Sequence, residues 1–266
     1  MNHMLSTLVA RLSETVLSQT NVIPWSSPVP AFGDPSTSTI ATVGLNPSNR
    51  EFVDGAGLEL QGSARRFHTL NSLGLARWRD ANATHLRLIV DSCRAYFFRN
   101  PYDGWFKKLD RLISGTRASY YDASTGACHL DLIPYATACK WTELTRHQRS
   151  ALLDAAGDTL GLLLRDSAIR VLILNGSSVV EQFQIMAETR LDKRAMSAWS
   201  LPRRLEPDVK GVAYRGTVRE LAGIALEREV LVLGFNHNIQ SSFGVTTRVT
   251  TAIGRWITQS AAEALS

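Results

Sequence analysis

The chain has 266 residues, 44% hydrophobic and 20% charged, with 18 glycines and nine prolines, which excludes a disordered, collagenous or coiled-coil protein. Its three cysteines, Cys93, Cys128 and Cys139, include no Cys-x-x-Cys pair, so a disulfide framework, a four-thiolate cluster and a structural zinc all lack ligands. Twenty-nine Lys and Arg against 24 Asp and Glu give a net charge of +5, compatible with a polyanionic partner but no proof of one.

Leu5, Leu8, Val9, Leu12, Val16 and Leu17 stand at helical spacing, interrupted by Arg11 and Glu14. This predicts an amphipathic helix over 4–20 and not a signal peptide. No run approaches the roughly 18 apolar residues of a membrane span, so a cytoplasmic protein is expected. Residues 23–39, rich in proline and serine, read as an ordered linker. Short β-branched runs then mark strands over 39–44, 128–133, 170–174 and 229–234, the last two almost purely aliphatic. Such runs suit strands covered on both faces. Helical patterns fall around 64–74, 84–97, 102–114, 145–165, 177–189 and 245–264, with Thr145-x-x-Gln148 as a capping box. Residues 190–228 are less regular and read as a hairpin or insertion. The alternation predicts one α/β domain over 1–266, a three-layer α/β/α sandwich around a mostly parallel sheet.

Ligands of such sheets sit at the carboxyl ends of the strands. The first strand ends in Gly44-Leu45-Asn46-Pro47-Ser48, the second in Asp131-Leu-Ile-Pro134, and the last in Asn236-His237-Asn238-Ile239-Gln240-Ser241-Ser242. Each alone is an ordinary turn or cap; three at one sheet edge point to a pocket. No Gly-x-x-x-x-Gly-Lys-Ser/Thr, Gly-x-Ser-x-Gly or His-Glu-x-x-His pattern occurs, nor the zinc-deaminase signature.

Gly44-Leu-Asn-Pro-Ser48 resembles the first motif of the uracil-DNA glycosylase superfamily, Gly-x-Asn/Asp-Pro-x, and is closest to its mismatch-specific and single-strand-selective branches. Ala64-x-Arg66-Phe67 is similar to an Asn-Arg-Phe element of the mismatch-specific branch. His129-Leu-Asp131-Leu-Ile-Pro134 looks like the family's base-reading strand, with Asp131 where Asn usually stands. Asn236-His237 occupies the place of the second catalytic motif, His/Asn-Pro-Ser, but no Pro-Ser follows. The order and spacing cover most of residues 28–260.

The resemblance implies hydrolysis of the N-glycosidic bond of a flipped base, leaving an abasic site, with DNA as partner and neither cofactor nor metal in a cytoplasmic monomer. Asn46 would position the water through its carbonyl oxygen, having no accessible pKa for general-base work. Asn236 or His237 would donate to the departing pyrimidine O2, a bond that contributes roughly 3 kcal/mol; Asn236 is preferred because it comes first after the strand. Leu45, Pro47, Ser48, Phe67 and Asp131 would surround the base, with Phe52 and Phe67 both open as the stacking ring. Arg66, Gln240, Ser241 and Phe243 would contact DNA, Gln240 or Phe243 filling the emptied stack. Where uracil-specific relatives carry a tyrosine that blocks C5, Ser48 leaves space. An ionised Asp131 accepts only, which suits the N4 amino group of cytosine. The expected substrate is therefore a C5-modified cytosine, such as hydroxymethyl- or glucosyl-hydroxymethylcytosine of phage DNA, excised in antiviral defence. A uracil or 5-hydroxymethyluracil repair glycosylase, a non-catalytic DNA-binding module and a nucleoside hydrolase or transferase are the alternatives.

Overall fold

The computed structural model describes residues 2–122, 124–203, 207–240 and 245–265. Six strands form one sheet in the order β2-β1-β3-β6-β5-β4: β1 (Ile40–Gly44), β2 (Ala127–Asp131), β3 (Val171–Asn175), β4 (Asp192–Leu201), β5 (Val209–Leu221) and β6 (Ile224–Phe235). β1 pairs in parallel with β2 and β3, and β3 with β6; β5 and β4 extend the sheet antiparallel. The region 190–228 is thus a β-meander, within which the outward residues of β4 are exposed and its end, Trp199 and Leu201, is buried.

β1, β2 and β3 are buried along their whole length, and alternation divides their side chains between two cores. Ala41, Val43, Cys128, Leu130, Leu172 and Leu174 meet helices α1 (Asn2–Arg11), α5 (Arg146–Ala156), α6 (Thr159–Arg165) and α7 (Ser177–Met186). Ile40, Ala127, Val171, Ile173 and Leu233 face α4 (Asp103–Ile113) and α8 (Thr247–Leu265), with a dense aromatic group between. This is the three-layer α/β/α sandwich with a mostly parallel central sheet. Among the described residues no helix is long and apolar enough to cross a membrane.

Three helical expectations change. The segment 4–20 divides into α1 and a single turn, α2 (Thr15–Ser18). The segment 145–165 keeps its capping box, Thr145 and Gln148 bonding reciprocally, but breaks at Gly157 between α5 and α6. The segment 64–74 is not an α-helix. Its backbone is taken by the linker: Ser27 N donates to His68 O and Leu70 N to Trp25 O, and Gly74 closes it in the left-handed region at φ 65. Long-range pairing there outcompetes local propensity. α3 (Ala83–Arg94) begins at the cap Asn82, whose side chain accepts from Thr84 N and His85 N.

Candidate functional site

β1 and β2 end side by side, Gly44 opposite Asp131. Residues 127, 129 and 131 point to the aromatic face, so His129 and Asp131 share it. His129 Nε2 lies 3.3 Å from Asp131 Oδ1, and His129 Nδ1 lies 2.7 Å from Thr42 Oγ1, which also bonds Tyr120 OH. Burial pushes the Tyr120 hydroxyl well above its ordinary pKa, which keeps it a donor. One proton arrangement satisfies the series: Tyr120 donates to Thr42, Thr42 to His129 Nδ1, and His129 Nε2–H to the carboxylate. Asp131 is thereby oriented at the strand end while only 7% exposed. Gly44 is required beside it. A Cβ there would collide with Asp131 Oδ1 and come within 3.0 Å of His129 Nε2.

Beyond Gly44 the chain turns at half-buried Leu45, whose carbonyl accepts from Ile133 N, and at buried Pro47. Asn46 between them is anchored by its amide nitrogen, which donates to Thr137 Oγ1 at 3.0 Å and reaches Tyr135 O at 3.4 Å and Pro47 O at 3.2 Å. Its Oδ1 accepts no hydrogen bond from the described residues. Thr137 is itself fixed by donating to Cys139 O at 2.7 Å. Asn46 and exposed Ser48 line a cavity of about 350 Å³ with Thr137, Lys140, Trp141 and Glu143, within the ~300–1,000 Å³ range of small-ligand sites. Asp131 is not in that lining. Ser48 also caps the turn 49–51, its Oγ accepting from Arg50 N.

Glu51, the last residue of that turn, escaped the sequence reading. Its side chain is buried on the aromatic face, where Oε2 accepts from Tyr96 OH at 2.8 Å and lies 3.8 Å from Arg66 Nε. Burial raises its pKa to about 7, assisted by the charge of Asp131 and opposed by Tyr96 and Arg66. The only local hint is a glutamate five residues past Asn46, and its burial depends on Tyr96, 45 positions away. Trp105 was missed too: half-buried, its ring centroid is 4.9 Å from that of His129.

Several expected site residues take other roles. Phe67 is 1% exposed, stacked on Tyr96 and packed against Phe32 and Phe52; it is core and offers no face to a base. Phe52, 1% exposed, is core as well. Arg66 does not reach outward: Nε donates to Asn100 O, Nη1 to Arg50 O, and its guanidinium lies 5.5 Å from the Tyr102 ring centre. Asn236 extends the β5–β6 ladder, accepting from Val212 N and donating to Lys210 O, both at 2.8 Å. That commits its amide oxygen and one of its two amide protons to the ladder and fixes the side chain there. His237 is 2% exposed, and its Nε2 donates to Trp199 O at 2.7 Å. Burial lowers its pKa, which leaves Nδ1 an acceptor. Gln240 is no free wedge, since Oε1 accepts from Asn175 Nδ2 at 2.7 Å and Nε2 approaches Trp105 O. Ser241 and Phe243 lie outside the described residues.

No protein-family model matches this chain, and no curated protein matches it. Among the described residues no cluster of three or more His, Cys, Asp or Glu could hold a metal ion. A second cavity, about 640 Å³, runs between α4 and α8 from Ile239. It is larger than the Asn46 cavity but is lined by none of Asn46, Ser48, Asp131, Asn236 and His237. Lys108, Arg111 and Arg255 line it, none of them ion-paired among the described residues.

Proposed function

We propose that the protein is a monofunctional DNA glycosylase that hydrolyses the N-glycosidic bond of a flipped C5-modified cytosine, as in phage DNA. The observation that carries this reading is the anchoring of Asn46. Its amide nitrogen is spent on Thr137 and Tyr135, so the side chain cannot swing. Its Oδ1 is left as an acceptor at a cavity wall, at the carboxyl end of a parallel strand. A water held there can be aimed at C1′ of a nucleotide. The C1′–N1 bond breaks with its electron pair leaving on the base, water oxygen bonds C1′, and the base takes up a proton, as in glycoside hydrolysis generally. Asp131, one strand away, supports a cytosine-type base because a carboxylate accepts from N4 and repels O4 of uracil. Ser48, exposed at the cavity mouth, adds little bulk there. Lys108, Arg111 and Arg255, which make no ion pair among the described residues, suit a phosphate track. The resemblance of residues 44–48 points the same way.

The test is direct. The protein is incubated with plain DNA, uracil-containing DNA and phage DNA carrying hydroxymethylated or glucosylated cytosine, and abasic sites are then cleaved with alkali. Breaks confined to modified-cytosine DNA, and absent with Asn46→Ala, are expected. Release of uracil with modified cytosine untouched returns the chain to general repair, and no release from any DNA ends the enzyme reading.

A further inference from the structure

We propose that the cleft between α4 and α8 binds the sugar–phosphate backbone of a single nucleic-acid strand, with Lys108 and Arg111 on one wall and Arg255 on the other. The inference rests on the glycosylase reading for the identity of the polyanion. It adds the surface that carries the strand and the single-stranded form in which the strand is held.

The two helices meet at glycines. A Cβ on Gly254 would lie 3.0 Å from Leu112 O, and one on Gly115 would collide with the Thr258 hydroxyl. α4 and α8 therefore touch through backbone, and the cavity of about 640 Å³ opens at that contact. Lys108, Arg111 and Arg255 line it and are exposed. Among the described residues none of the three makes an ion pair, and no aspartate or glutamate lines the cavity. The acids of α4 are spent elsewhere. Asp103 pairs with Lys107 at 2.6 Å and accepts from Tyr121 OH, while Asp110 accepts from Ser119 Oγ and Tyr120 N. The acid of α8, Glu263, stands eight residues beyond Arg255, about 12 Å along the helix. Three cations in one recess without a counter-charge repel one another and attract a polyanion. Thr247 and Thr251, one turn apart on α8, add two lining hydroxyls with no partner among the described residues. Leu112, Ile239 and Val245 supply apolar lining that suits sugar carbons.

The cleft begins at the carboxyl edge of the sheet. Ile239 lines it, and Ile239 N donates to the side chain of Asn175, the last residue of β3. On α4, Trp105 lies one turn before Lys108 and has its ring centroid 4.9 Å from that of His129. A strand engaged at the ends of β1 and β2 thus continues along α4 into the cleft. Helices in backbone contact fall at the short end of the ~8–10 Å interaxial range, and cations on both walls can close on one backbone between them. The two backbones of B-DNA flank grooves ~6 and ~12 Å wide and would meet only the rims.

The experiment measures binding of the whole protein to a plain oligonucleotide, as single strand and as duplex, and to thymidine monophosphate. Anisotropy and competition titrations run from roughly 50 to 200 mM salt. Plain DNA offers no modified base, so binding is read apart from hydrolysis. The wild type should bind the single strand more tightly than the duplex, and the monophosphate more weakly than either. Combined Lys108→Gln, Arg111→Gln and Arg255→Gln should flatten the plot of log affinity against log salt by about 2, at ~0.7 per phosphate contact of a single strand. Combined Arg77→Gln, Arg165→Gln and Arg219→Gln removes the same charge from exposed, ion-paired positions and should leave the slope unchanged. A wild-type slope in the cleft variant, or an equal loss in the control, overturns the cleft. Duplex bound as tightly as single strand overturns the single-stranded form, and monophosphate bound as tightly as the strand overturns the strand as occupant. If binding behaves as expected while alkali reveals no abasic sites in modified-cytosine DNA, the glycosylase reading fails and the cleft stands. Base release with an unchanged slope sinks the cleft alone.

Discussion

At the scale of single residues, two positions decide whether the strand-end groups point correctly: Gly44, which opens the Gly-Leu-Asn-Pro-Ser motif, and Thr137, which no motif names. Gly44 leaves room for Asp131 across the β1–β2 pair, and any Cβ there displaces the carboxyl. Gly44→Ala should lower base release by at least tenfold while the unfolding midpoint moves little, because φ at this position is compatible with alanine. Single-turnover kinetics beside thermal melts separate the two effects, and wild-type release would show that Asp131 does not read the base. Thr137 holds the Asn46 amide. Thr137→Val removes two hydrogen bonds, the one accepted from Asn46 and the one given to Cys139 O; loss of the Asn46 bond, typically 0.5–1.5 kcal/mol, corresponds to up to about tenfold in rate. The loss should fall on the chemical step and spare DNA affinity. A loss of affinity without a slower step would place Thr137 in binding. The placement of Asn46 and Asp131 at one sheet edge was legible in the sequence, because Asn46 stands two residues past β1 and Asp131 ends β2. Glu51, Thr137 and Trp105 were not, since each gains its place through contacts far along the chain.

At the scale of elements, the strands were legible, and the backbone pairing of the loop after β6 was not, for a physical reason. A polar pair directly after an aliphatic strand looks like a site, but β5 runs antiparallel beside β6 and has backbone groups to satisfy past the last strand residue. Asn236 satisfies two of them, Val212 N and Lys210 O, and His237 takes Trp199 O. The antiparallel partner came from 190–228, where the pattern was too irregular to specify register. Asn236→Ala should therefore cost about 1–3 kcal/mol of stability through unpaired backbone groups, with base release per folded molecule unchanged. Denaturant titration with a parallel activity assay checks this. Lost release at unimpaired stability would return Asn236 to the chemistry. The segment 64–74 teaches the same lesson, since its helical pattern yields to backbone bonds with residues 25–27.

At the scale of the whole molecule, the sandwich places its two cores under different demands. The face toward α5–α7 is closed mainly with aliphatic side chains, with Tyr135, Trp141 and Phe183 among them, whereas the face toward α4 and α8 accommodates His129, Asp131, Glu51 and Tyr96 among aromatic rings. That accommodation should appear in the pH dependence of folding. Glu51 titrates near 7 in the folded protein against an ordinary value of 4.5, so between these limits the native state binds more protons than the unfolded chain. Its contribution is complete below about pH 4.5, declines as pH rises and is gone above about pH 7. A shift of this size corresponds to about 3 kcal/mol, on the order of 5–10 °C in midpoint for a chain of this length. His68 and His237, both lowered by burial, slope the opposite way, losing stability as pH falls through and below their ordinary value of 6.5. Both are unchanged in Glu51→Gln, so the difference between variant and wild type isolates the carboxyl. That difference should grow in favour of Glu51→Gln from pH 5 to pH 7 and then level off. Melting curves that stay parallel from pH 5 to pH 8 would mean that Glu51 ionises in the folded protein as it does in water.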